Sequence, residues 1–136
     1  MEKLTKKEIH HASGKRKRAI ARATIRPGTG KVKVNNMSLD TYSSKILRMK
    51  IREPLLLAKP LGDKLDIFVR TSGGGVVSQA EAARLAIARA LMSHTSSLKQ
   101  TFLEYDRHLI VADTRRKEPC KPNDSKARAK RQKSYR

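Results

Sequence analysis

The stretch Lys17-Arg18-Ala19-Ile20-Ala21-Arg22-Ala23-Thr24-Ile25-Arg26 alternates residue by residue. Ala19, Ala21, Ala23 and Ile25 share one side, and Arg18, Ile20, Arg22, Thr24 and Arg26 share the other. Period two is the signature of a strand with one face buried, and here the exposed face is largely cationic. Downstream, Pro27-Gly28-Thr29-Gly30 supplies a turn, and Lys31-Val32-Lys33-Val34 alternates again, which predicts a hairpin. Asn35-Asn36 can reverse the chain once more, because Asn tolerates positive φ.

Working outward, Asp40 is placed to cap a short helix carrying Tyr42, Ile46 and Met49. Pro54 suits a first helical position ahead of Leu55-Leu56-Leu57-Ala58. Leu65, Ile67 and Val69 alternate with Asp66, Phe68 and Arg70 as a second strand, which Gly73-Gly74-Gly75 breaks. Gln79 to Met92 is the clearest helix: Ala80, Ala83, Ala86, Ile87, Ala90 and Leu91 fall within an arc of about 140°. Its alanines would let it lie close on a sheet. Ser96 or Ser97 can start a further helix with Leu98, Phe102 and Tyr105 on one side, while Leu109-Ile110-Val111 reads equally as strand or helix. After Asp113 the apolar pattern stops, and Pro119 and Pro122 interrupt a charged segment that cannot offset its own ordering entropy.

With 136 residues the chain has room for one domain with tails. Its 32 Lys+Arg and 12 Asp+Glu leave a formal net charge of +20, unevenly spread. Lys15 to Lys33 holds eight basic residues and no acid, and Thr114 to Arg136 holds ten basic and two acidic. Between them, Val34 to Asp113 is nearly balanced, with 11 basic and 8 acidic residues. Such blocks repel one another in the free chain and imply a polyanionic partner, nucleic acid above all. Cys120 is the single cysteine, so no internal disulfide framework exists and a reducing, cytoplasmic setting is expected. No apolar run approaches a membrane span, and the first 13 residues lack the core of a signal peptide.

Catalytic footholds are weak. Ser72-Gly73-Gly74-Gly75 ahead of a helix could cradle a phosphate, but no Gly-Lys-Ser/Thr follows, and a tight strand-to-helix turn is the better reading. His10-His11 and the distant Cys120 lack metal-ligand spacing. Lys15-Arg16-Lys17-Arg18 also fits a nuclear-import patch, although its continuation through Arg22 and Arg26 better suits phosphates. Two rivals follow from these features. A DNA-compacting protein shares the charge, and competition between duplex DNA and structured RNA separates it. A small nucleotide-dependent kinase would use the glycine turn, and ATP binding tests for it. No cofactor, metal, membrane or homo-oligomer is expected.

Gly14-Lys15-Arg16-Lys17-Arg18-Ala19-Ile20-Ala21-Arg22-Ala23 resembles the opening motif of the ninth universal small-subunit ribosomal protein family. Gly28-Thr29-Gly30 with Val32, Val34 and Asn35 continues it, as do Gly73-Gly74-Gly75, Ser78-Gln79-Ala80-Glu81-Ala82, Arg84 and Ile87-Ala88-Arg89-Ala90-Leu91. Asp113-Thr114-Arg115, Glu118, Ala127-Arg128, Gln132, Ser134 and Arg136 resemble the family's tail. The terminal Ser134-Tyr135-Arg136 is similar to the archaeal and eukaryotic form, and Cys120-Lys121-Pro122-Asn123-Asp124-Ser125 replaces the usual glycine-containing linker.

The resemblance implies an α/β body, an α+β two-layer sandwich. Its mixed sheet would carry helices packed on one face, similar to the second domain of small-subunit ribosomal protein five, with a long extended basic C-terminal tail. It implies an extension over residues 1–13, an RNA-binding body over 14–113 and a tail over 114–136. The implied partners are small-subunit rRNA in the 3′ major domain of the head, peptidyl-site tRNA near its anticodon loop, and other head proteins. Expected rRNA contacts are Lys15, Arg16, Lys17, Arg18, Arg22, Arg26 and Gly73, Gly74, Gly75 on the body. On the tail they are Arg115, Arg116, Lys117, Lys121, Lys126, Arg128, Lys130, Arg131 and Lys133. Ser134, Tyr135 and Arg136 are expected near tRNA. The 23 tail residues could span ~80 Å at about 3.3–3.6 Å each, against a body roughly 26–30 Å across.

Overall fold

The computed structural model describes residues 9–59, 61–123, 126–130 and 134. Five strands, β1 (His10–Arg16), β2 (Ala19–Pro27), β3 (Val32–Val34), β4 (Met37–Ser38) and β5 (Leu65–Ser72), form one mixed sheet in the order β1-β2-β5-β3-β4. Three helices, α1 (Lys45–Leu57), α2 (Val76–His94) and α3 (Leu98–Tyr105), lie on one side of it. The fold is the expected two-layer α+β sandwich.

The alternation in β2 is realised as read: Ala19, Ala21, Ala23 and Ile25 are buried against the helices, and Arg22 and Arg26 are exposed. Arg18 does not belong to that strand. It sits with Lys17 in the turn between β1 and β2, where Lys17 adopts φ 52°. The expected β2–β3 hairpin is absent. β5 inserts between the two, antiparallel to β2 from Ile20↔Ser72 to Pro27↔Leu65 and parallel to β3 from Val32↔Ile67 to Val34↔Val69. The reason is ladder length: β5 offers β2 eight register partners, whereas β3 has only three residues to give. The Pro27–Gly30 turn therefore crosses the end of β5. There the Asp66 carboxylate accepts the N–H groups of Thr29 (2.8 Å) and Lys31 (3.0 Å). These backbone donors hold its carboxyl below the ordinary range.

β2's hairpin partner is β1, a strand without a readable apolar pattern, in register from His10↔Ile25 to Arg16↔Ala19. The sheet thus begins at His10, so the body takes in residues before Gly14, and the boundary at 13/14 falls inside β1. Asn35 and Asn36, at φ 49° and 69°, make the expected reversal between β3 and β4.

α1 differs from the sequence expectation. It is a single helix with Ser44 at its N-cap and Pro54 inside it, while Asp40 lies outside and pairs with Arg52. Leu47, Ile51 and Pro54 are buried, and Ile46 and Met49 face solvent. Burial of the proline ring opposes the cost of its missing hydrogen bond. α2 extends beyond the expected bounds at both ends, and its buried arc is wider, taking in Ala82, Leu85 and Ala88. In α3 Phe102 is buried and Tyr105 is exposed. A 3-10 turn at Arg107–Leu109 follows, burying Leu109.

Arg89 of α2 bridges β1 and the segment that follows the 3-10 turn, donating to the carbonyls of Ser13 and Ile110 at 2.9 Å each. Beyond Ala112 the described residues contain no helix or strand, and 114–123 are exposed throughout.

Candidate nucleic-acid interface

Because strand side chains alternate, filling one face of the sheet with core residues pushes a second set onto the other. Among the described residues no helix covers that second face. Register places its side chains in rows across the strands. One row runs Lys15–Ile20–Ser72, the next Ser13–Arg22–Arg70, and the third His11–Thr24–Phe68–Lys33–Ser38. Arg26 and Asp66 form the fourth. Arg22 and Arg70 stand directly opposite each other, a like-charge pair that weakens an isolated sheet. Among the described residues Lys15, Lys17, Arg18, Arg22, Arg26, Lys33 and Arg70 make no ion pair. Asp66, the one carboxylate that the described residues place on this face, is already satisfied by backbone donors. Within the described residues the face is a cationic surface without internal neutralisation.

The cations on the helix side behave differently. Arg16, from the end of β1, sits between Glu81 (2.7 Å) and Asp113 (2.8 Å), and Lys50 of α1 reaches Glu81 at 3.0 Å. Arg84 likewise bridges Glu53 (2.6 Å) and Asp106 (2.8 Å). Burial pushes the Glu81 carboxyl up, but the Arg16 and Lys50 hydrogen bonds outweigh it and hold the group low. Arg115 grips Asp113 with its side chain and its backbone N–H, which drives that carboxyl well below the usual range. Arg16, expected from sequence as a phosphate contact, thus fastens the root of the C-terminal segment to β1 and α2.

Several sets of sequence-expected residues converge at this end of the sheet. The Gly73–Gly75 turn, with φ of 71° and 63° at Gly73 and Gly74, packs against the Lys17–Arg18 turn. A Cβ on Gly73 would stand 2.8 Å from the Arg18 carbonyl oxygen. The Gln79 side chain donates to the Gly73 carbonyl at 3.0 Å and closes the turn before α2.

Arg116, Lys117, Lys121, Lys126 and Lys130 are exposed. Arg128 is exposed too and pairs locally with Glu118 at 2.5 Å. Ser134 is exposed, while Arg131, Lys133, Tyr135 and Arg136 lie outside the described residues. Residue-by-residue reading missed Arg70, Lys33, His11 and Phe68 as members of the face. Alternation put Phe68 and Arg70 opposite the core of β5, but only the β2–β5 register sets them beside Arg22 and Arg26.

Comparison with known proteins agrees with this architecture. A family model described as "Ribosomal protein S9/S16" matches residues 14–136. The chain is also similar to "Small ribosomal subunit protein uS9" from Methanococcus maripaludis strains C7, S2 and C5. Each is 45% identical over 133 residues, covering 95% of this chain and 99% of the relative. With a match across nearly its whole length, the chain belongs to the ribosomal protein S9/S16 family in its archaeal-type form, a structural, non-enzymatic constituent of the small ribosomal subunit.

Proposed function

We propose that the helix-free face of the sheet binds small-subunit rRNA in the 3′ major domain of the head, and that residues 114–136 run on as an extended tail toward the anticodon loop of peptidyl-site tRNA. The observation that carries this reading is the row of cations on the open sheet that make no ion pair among the described residues, next to the turns at Lys17–Arg18 and Gly73–Gly75. Arg18, Arg22 and Arg26 are presented to phosphates there. Contacts of this kind position the protein by RNA shape rather than base sequence.

The Arg16–Asp113–Arg115 clasp supports the second half of the reading, because it fixes where the tail leaves the body. From there Arg116, Lys117, Lys121, Lys126, Arg128, Lys130, Arg131 and Lys133 neutralise phosphates, and Ala127 and Ala129 keep the segment slim enough to pass between RNA helices. At the end, Tyr135 stacks on a base or sugar, and Arg136 offers a guanidinium fork. Other head proteins are its neighbours. Deleting Ser134 to Arg136 is expected to leave assembly into small subunits intact, by sedimentation, while weakening peptidyl-site tRNA retention in filter binding. Unchanged tRNA affinity would reject the tail's role.

A further inference from the structure

We propose that the sheet face holds an unpaired RNA base, stacked on the ring of Phe68. Phe68 is 39% exposed on the side away from the helices, where it adds nothing to the core that Ile67 and Val69 fill from the same strand. Its register partners, Thr24 and Lys33, give it no apolar neighbour across the strands. Core packing therefore does not account for an apolar ring at this position.

What surrounds the ring does account for it. The Arg26 guanidinium carbon lies 5.9 Å from the ring centroid, within cation–π range. Shallow grooves meet at Phe68 and Arg70, one opening toward His11 and Arg22, the other toward Arg26 and Lys33. Among the described residues Phe68 is the only phenyl or phenol ring on this face; Tyr42 and Phe102 are buried in the core, and Tyr105 belongs to α3. A flat apolar surface set among unneutralised cations is complementary to one base with its flanking phosphates. The bases of a continuous A-form duplex are stacked and paired, so they cannot lie on such a ring, whereas a bulged or loop base can.

The inference rests on the reading that this face binds RNA, and one experiment separates the two. Fluorescence anisotropy with the full chain compares three labelled RNA hairpins: fully paired, carrying one bulged nucleotide, and carrying an abasic bulge. The wild type is expected to prefer the base-bearing bulge over the abasic one. Phe68→Leu, which keeps an apolar side chain of similar reach, is expected to reduce that preference roughly 5- to 150-fold, the range of base–aromatic stacking. Phe68→Tyr restores it, and the salt dependence on the paired hairpin stays as in the wild type. Salt-dependent binding with no base preference, or a preference that survives in a folded Phe68→Leu, overturns the stacked base alone. A wild type whose binding is insensitive to Arg22→Glu and Arg70→Glu overturns the underlying reading and the stacked base with it.

Discussion

A methyl group added at Gly14 would stand 2.2 Å from the carbonyl oxygen of Ala82 and 2.6 Å from the amide nitrogen of Ala86. Both are backbone atoms of α2, so nothing flexible can yield. Gly14 on β1 and Ala82 and Ala86 on the helix are two sides of one contact, in which small residues let helix and sheet approach. Gly14→Ala is therefore expected to destabilise the body by about 3 kcal/mol or more, as overpacking against backbone does. A urea melt followed by circular dichroism measures it. Gly75→Ala is the control: no atom lies within 4 Å of its Cβ, and its φ of −103° is open to any residue. That variant is expected to stay within about 1 kcal/mol of the wild type. The alanine pattern announced a close-packed helix, but the glycine it needs could not be identified without the β1–β2 register.

At the scale of elements, the crossover from β2 over β5 to β3 depends on one carboxylate. Asp66 accepts two backbone N–H groups from the Pro27–Lys31 connection, and these hold its carboxyl below the ordinary value near 3.9. A carboxyl depressed by folding contributes stability that is complete above its unfolded pKa and is lost as pH falls through its folded pKa. The wild type is thus expected to be more stable than Asp66→Asn at pH 6, with the two converging as the solution is acidified below pH 3. Urea midpoints across that range read the difference, and parallel curves would contradict the assignment. The misplaced β2–β3 hairpin has the same origin. Local turn residues were legible, but the identity of the strand that pairs with β2 is a long-range competition decided by ladder length. α1 repeats the lesson: Pro54 carries a local signal for a helix start, and burial in the core outweighs it.

On the scale of the whole molecule, charge is the dominant quantity. As a constituent of the small ribosomal subunit the protein is cytoplasmic. If about ten basic groups meet phosphates, log K for structured rRNA falls with log salt at a slope of roughly −7 to −9. A truncation ending at Asp113 is expected to lose more than half of that slope, because nine of the fifteen cations expected to meet rRNA lie in the removed segment. Filter binding at several salt concentrations measures both values. A full-chain slope shallower than about −3 would contradict the electrostatic account. The truncation keeps Asp113 so that Arg16 retains its partner and the end of β1 stays clasped.

Alternation, helical period and charge spacing are local properties of the chain. They were sufficient for the cationic strand at Arg22 and Arg26, the alanine helix, the Asn35–Asn36 reversal and the loss of core pattern after Asp113. Pairing is not local. The position of β5 between β2 and β3 and the meeting of Phe68 with Arg26 depend on register between segments roughly 40–50 residues apart, while the patternless β1 is recruited by β2 through a two-residue turn. The division between engaged and open cations has the same cause. Arg16 and Arg22 look alike in sequence, and only the packed sheet turns one toward Glu81 and Asp113 and leaves the other facing solvent.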